Sequence, residues 1–151
     1  SSKICNSLVE LGYGYNKSYE NLIISPQIPK HLIKHFIRGY FDGDGCFTMY
    51  TTKPENRPRA YLKVRFAINE KTTTLITDIQ RFLSENNINT NVIYLKRDDM
   101  WRINTGSKKE CSKLYHFLYD DTNFYLSRKF NKFSHYVNTE EIQLIAELRN
   151  A

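Results

Sequence analysis

The sequence predicts an α+β fold, a twisted four-stranded antiparallel sheet with helices on one face, and three observations predict it. Apolar residues recur at helical spacing up to Gly45 and take a period of two after it; a second strand pair follows an intervening helix; and the chain from 108 onward returns to helical spacing. The 151 residues suffice for one cooperatively folded domain. A composition that is 40% hydrophobic, with only six Gly and four Pro, excludes disordered and collagen-like chains.

Each element has its own signal. Ile4, Leu8 and Leu11 share one helical stripe over residues 3–11, with Ser1 or Ser2 as cap and Gly12 as terminator. Pro26 and Pro29 precede a helix carrying Leu32, Ile33, Phe36, Ile37 and Tyr40, which stops where Gly43 and Gly45 release the backbone. From 57 to 68 the even positions Ala60, Leu62, Val64, Phe66 and Ile68 are apolar, while Arg57, Arg59, Tyr61, Lys63 and Arg65 fall on the other face. Residues 46–52 are the expected antiparallel partner of that strand. A helix over 72–86 follows, with Leu75, Ile76, Ile79, Phe82 and Leu83 in one stripe. Residues 91–106 then read as a hairpin turning at Asp98 and Asp99, Trp101 and Ile103 inward, Arg102 and Asn104 outward. Three closing helices are expected at 108–119, 124–136 and 139–149, anchored by Leu114 and Leu118, by Phe130 and Phe133, and by Ile142, Ile145 and Leu148.

Charge narrows the function. The chain carries 22 basic and 16 acidic side chains, and +5 of its +6 lies in residues 1–75. That balance suits a polyanionic partner, and the first half is where a phosphate backbone is expected. Cys5, Cys46 and Cys111 are odd in number and form no CxxC pair, which argues against a disulfide framework or zinc knuckle and for small apolar packing in a reducing compartment. No run reaches the 18 apolar residues of a membrane span. His31 and His35 stand four apart, but HLIKH lacks the glutamate of a zinc-protease HExxH site.

FIRGYFDGDG, residues 36–45, is the most informative segment. Gly39 inside an apolar helix costs about 1 kcal/mol relative to Ala, a cost that close approach of another helix would offset. Asp42 and Asp44 sit at a helix C-terminus, where the macrodipole disfavours anions. Carboxylates so placed, beside glycines, suit a hard cation such as Mg²⁺ or an ordinary Asp-Gly turn.

IRGYFDGDG, residues 37–45, resembles the LAGLIDADG signature of homing endonucleases, with Gly39, Asp42, Asp44 and Gly45 in register, in the form found in intron- and intein-associated members. The resemblance extends over nearly the whole chain and implies metal-dependent hydrolysis of both strands of a long double-stranded DNA target. It implies that Asp44 and the Gly43 carbonyl hold Mg²⁺, with Mn²⁺ able to substitute, and that Gly39 and Asp42 serve helix pairing and helix-end geometry. YLSRKFNKF, residues 125–133, matches the region that supplies a basic residue near the reacting phosphate, making Lys129 the catalytic cation with Arg128 and Lys132 beside it. Asn69, Glu70 and Lys71 fall where polar residues surround the catalytic water. The sheet face that reads the major groove would comprise Arg57, Arg59, Tyr61, Lys63, Arg65, Tyr94, Lys96, Arg102 and Asn104.

One motif per chain requires a second, from a homodimer partner or a preceding domain. SKICNSL at 2–8 echoes SKKECSKL at 107–114, so residues 1–25 read as an N-terminal extension or the tail of a preceding domain, and 26–151 as a single LAGLIDADG domain. Two readings compete with cleavage: an intron RNA-splicing maturase and a non-cleaving DNA-binding protein. The expected location is cytoplasmic for a microbial or phage gene and organellar for an organelle gene.

Overall fold

The computed structural model describes residues 2–10, 22–53, 55 and 61–149, with side chains to 139. In chain order the elements are α1 (Ser2–Glu10), a 3₁₀ turn (Lys30–Leu32), α2 (Ile33–Asp44), β1 (Cys46–Thr52), β2 (Tyr61–Glu70), α3 (Thr73–Glu85), β3 (Asn91–Leu95), β4 (Met100–Thr105), α4 (Lys108–Tyr119) and α5 (Ser127–Arg149). The four strands form one antiparallel sheet in the order β1-β2-β4-β3. Helices α3, α4 and α5 pack on one of its faces, so the predicted α+β layering is the observed one.

Strand parity divides the sheet as alternation requires. Val64, Phe66 and Ile68 are buried while Lys63 and Arg65 are exposed. Phe41 of α2 stacks on Phe66, ring centroids 4.6 Å apart, and Phe47 of β1 stacks on Phe133 of α5 at 3.9 Å. Aromatic pairs at such separations add to the area they bury. They fix the end of α2 against the sheet, which is what places the acidic motif. Leu22 joins the hydrophobic core and Ser25 is buried beside the chain's entry to α2.

Four expectations need correction. The helices predicted at 124–136 and 139–149 are one helix, α5. The two residues between them, Val137 and Asn138, are neither Gly nor Pro. The Asn138 amide reaches Ser134 Oγ at 3.4 Å and the Thr139 hydroxyl donates to the His135 carbonyl at 2.7 Å, bonds that lie along a continuous helix. Tyr94 is not on the basic face: it pairs with Trp101, in the parity of Val92 and Ile103, and its ring lies 5.1 Å from Trp101. Lys96 belongs to the exposed turn of the β3–β4 hairpin and not to a strand. Of the three cysteines only Cys111 is buried, whereas Cys5 and Cys46 are exposed. Helix α1 forms as expected, with Ile4 and Leu8 exposed. Arg57 and Arg59, and the side chains of Ile142, Ile145 and Leu148, lie outside the described residues.

The α3–β3 connection is held from α4. Asn87 takes a left-handed conformation (φ 59°) while Ile88 N–H bonds back to the Leu83 carbonyl at 2.9 Å, a Schellman-type end with Asn in the place glycine usually holds. Glu110, buried in the first turn of α4, accepts the Asn89 N–H at 2.6 Å, and Lys113 bridges Glu110 (3.0 Å) and the Asn87 carbonyl (2.6 Å). Burial alone would raise the Glu110 pKa; the Asn89 N–H and then the Lys113 ammonium outweigh it and hold the carboxyl below its usual range. The stability this carboxylate lends is therefore complete above the ordinary carboxylate range and is lost as pH falls through the depressed folded value. Glu110→Gln should be less stable than wild type at neutral pH, with the gap closing below about pH 4; urea unfolding from pH 7 to 3 measures it, and a gap independent of pH would contradict the assignment.

Candidate active site at the end of helix α2

The last turn of α2 is gripped from three sides. Asp42 accepts the Tyr119 hydroxyl of α4 at 2.8 Å and the Leu126 N–H of the α4–α5 connection at 2.9 Å. Burial and then the bond to Asp42 push the Tyr119 phenol pKa up, so it stays a donor. Tyr40 donates to Glu70 at the end of β2, and the other Glu70 oxygen accepts the Lys71 N–H at 2.6 Å. Lys129, buried in α5, donates to the carbonyls of Phe41 (2.6 Å), Gly45 and, more distantly, Gly43 (3.4 Å).

Helix C-termini leave carbonyls without partners, and an ammonium has three N–H donors to give. Lys129 thus caps α2 and also lies 5.2 Å from the centre of the Phe41 ring. Burial, then the neighbouring Arg128 charge, lowers its pKa. Its place differs from that of a cation turned to an open phosphate. Lys129→Met should cost about 2 to 4 kcal/mol of stability, because it strands buried carbonyls that were bonded to a charged donor. The denaturant midpoint reads this directly, and an unchanged midpoint would overturn the capping role.

Gly45 is dictated by this packing: a Cβ there would lie 2.2 Å from the Phe41 ring and 2.7 Å from its carbonyl oxygen. At Gly39 and Gly43 the reverse holds, since a Cβ would meet nothing described within 4 Å. Both are exposed, and with Leu32 of the preceding 3₁₀ turn and Phe36 and Tyr40 of α2 they make an exposed to half-buried stripe at helical spacing.

Asp44 is the exception in this turn. It is exposed and has no hydrogen-bond or ion-pair partner among the described residues. It borders a recess of about 100 Å³ lined also by Cys46, Thr48, Arg65, Ala67, Asn69 and Arg102. The sheet register assembles that lining: Thr48 pairs with Arg65, Cys46 with Ala67 and Asn69 with Arg102. Arg102 Nε donates to Asn69 Oδ1 at 2.7 Å. Among the described residues no three His, Cys, Asp or Glu side chains gather as a metal cage.

Of the other expected site residues, Tyr61, Lys63 and Asn104 share the open face with Arg65 and Arg102, and Lys63 Nζ lies 5.7 Å from the Tyr61 ring centre. Arg128 and Lys132 are exposed on α5. The sequence reasoning missed Tyr119, whose spacing marks it as core and whose hydroxyl carries no sequence signal. Thr48 and Cys46 were within reach, since hairpin register puts them opposite Arg65 and Ala67.

The family model described as LAGLIDADG endonuclease matches residues 37–140. The chain therefore belongs to the LAGLIDADG endonuclease family. Solved structures agree on the fold. The homing endonuclease I-CvuI in complex with the I-CreI target superposes with a TM-score of 0.59 at 19% identity, over 72% of this chain and 66% of that one. The archaeal intron-encoded homing endonuclease I-Vdi141I, complexed with DNA, gives 0.58 at 17% identity, over 73% and 69%. I-LtrWI, bound to target DNA, gives 0.64 at 17%, over 79% of this chain but only 40% of its own. This chain thus spans just under two thirds of I-CvuI and well under half of I-LtrWI. No curated protein matches it.

Proposed function

We propose that this chain supplies one half of a site-specific DNA endonuclease that hydrolyses phosphodiesters in both strands of a long duplex target. The observation that carries the reading is Asp44: in a turn where Tyr40 and Asp42 are bonded and which Lys129 of α5 caps, its carboxylate has no described hydrogen-bond or ion-pair partner and borders a recess. Asp44 fits Mg²⁺, which takes one or two carboxylates and otherwise keeps its waters; Mn²⁺ suits the same oxygens. The Gly43 carbonyl could join it, because its contact with Lys129 is long and a carbonyl has two lone pairs. When bound, the ion eases hydroxide formation and neutralises charge on the attacking and leaving oxygens.

The protein's own contribution is to bind and orient the duplex. The open sheet face carries Tyr61, Lys63, Arg65, Arg102 and Asn104, and no acidic residue occupies its described strand positions. A twisted ribbon of this kind fits the major groove, where Arg and Lys read guanine edges. Arg128 and Lys132 suit backbone phosphates. Lys129 would act on the reaction through the α2 end that it caps. The stripe around Gly39 supports pairing of two motif helices, from a second copy or a preceding domain, which brings one Asp44-type carboxylate to each strand.

The test is selection of duplexes from a randomised library in Ca²⁺, followed by incubation in Mg²⁺ and mapping of product ends. Cuts on both strands at fixed positions support the reading, and intact duplex at saturating protein would overturn it.

A further inference from the structure

The recess beside Asp44 contains a mismatch between charge and contact. Asp44 shares the lining with two arginines, Arg65 and Arg102, yet its carboxylate pairs with neither. Opposite charges held apart in one recess leave room for a third body between them. Ala67 keeps that room: it lies between Arg65 and Asn69 on β2, buried, with only a methyl to place on the floor. The Asn69 side-chain Oδ1 accepts the Nε–H of Arg102, which fixes the plane of the guanidinium and leaves its terminal edge of two NH₂ groups open. No described residue accepts from that edge or from Arg65.

We propose that Arg102, oriented by Asn69, and Arg65 together form a seat for a DNA backbone phosphate beside Asp44, making Arg102 a catalytic residue rather than a reader of base edges. The proposal rests on the endonuclease reading above. A forked guanidinium edge matches two phosphate oxygens, the geometry in which Arg outperforms Lys. Size and position favour phosphate over base. The recess is only about 100 Å³, and Arg102, which lines it, is half-buried, whereas Lys63 on the same face is exposed and does not line it. Asn69 is then a positioning residue.

The probe is a Ca²⁺-selected duplex carrying single neutral methylphosphonates, scanned across its central positions. Wild type should lose affinity when the phosphate at the cut is neutralised, and Arg102→Gln should lose that sensitivity at the same position while its base preferences stay unchanged. At saturating protein in Mg²⁺ its single-turnover rate should fall about 10²-fold, the scale for removing one preorganised donor. Arg102→Lys should recover part of the rate, and Asn69→Ala should fall between, which keeps the test open if Arg102→Gln folds poorly. A localised change in base preference with an unchanged rate would overturn the proposal, as would methylphosphonate sensitivity that persists in all three variants. If wild type cuts nothing, the endonuclease reading fails, and the Ca²⁺ scan still decides between phosphate and base for Arg102.

Discussion

Asp44→Asn will keep the fold and DNA affinity and lose divalent-dependent cutting by at least about 10²-fold, the scale for deleting one group that acts on reacting charge. The fold is kept because Asp44 is exposed and bonds to no described residue. Its negative charge also opposes the α2 dipole, so neutralising it should leave the melting temperature unchanged or raise it by the equivalent of about 0.3 to 1 kcal/mol. Affinity in Ca²⁺ should hold apart from any weakening of the bound ion, since removing an anion from a DNA-facing recess costs no attraction for phosphate. Asp42→Ala provides the contrast two residues away. It deletes the acceptor of the Tyr119 hydroxyl and the Leu126 N–H, so it should lower stability by about 1 to 3 kcal/mol. Thermal unfolding, binding in Ca²⁺ and cutting in Mg²⁺ separate the two aspartates. Undiminished cutting by Asp44→Asn would remove it from the chemistry, and a large loss of stability would make it a structural residue.

How much of this was legible in the sequence follows from how local each signal is. Parity is local, so the exposed Lys63 and Arg65 and the buried Val64, Phe66 and Ile68 could be read directly. Register across strands is less local: Tyr94 was assigned to the basic face because its place relative to Arg102 depends on where the hairpin turns, and one residue of register reverses a face. The single α5 was missed for a related reason, since Asn and Thr weaken a helix without ending it when their side chains bond back along it. Lys129 shows the deeper limit. Sequence puts a lysine near the motif, but only the packing of α5 on α2, 84 residues away, decides that its ammonium is spent on carbonyls. That the Asp42 carboxylate is bonded depends likewise on Tyr119 and Leu126, which lie far along the chain; the motif resemblance separates Asp42 from Asp44, but the spacing of DGDG does not name these partners.

Gly39→Leu should abolish double-strand cutting while leaving the isolated chain at least as stable as wild type. Within the chain, a Cβ at Gly39 meets nothing described within 4 Å, and the residue is exposed, so a side chain can start from this position without a clash. Replacing a mid-helix glycine by leucine also favours the helix by somewhat less than about 1 kcal/mol. An unchanged or raised melting temperature would then exclude destabilisation as the cause of lost activity, which separates this substitution from most small-to-large changes. If the stripe of Leu32, Phe36, Gly39, Tyr40 and Gly43 meets a second motif helix, four added carbons at its centre hold the two backbones apart. A displacement of about 1 Å can cost on the order of 10²-fold where reacting groups must converge, and two carboxylates must serve adjacent strands here. Sedimentation with and without the selected duplex, beside thermal unfolding and a gel that resolves nicked from cut product, tests each step. The expected pattern is a preserved or raised melting temperature, one chain per duplex where wild type shows two, and no linear product. Where a preceding domain supplies the second motif, the stoichiometry stays at one and the loss of linear product carries the test. A Gly39→Leu protein that assembles and cuts both strands at the wild-type rate would end the paired-helix account, because the open face of α2 would then have no contact that a leucine could disturb.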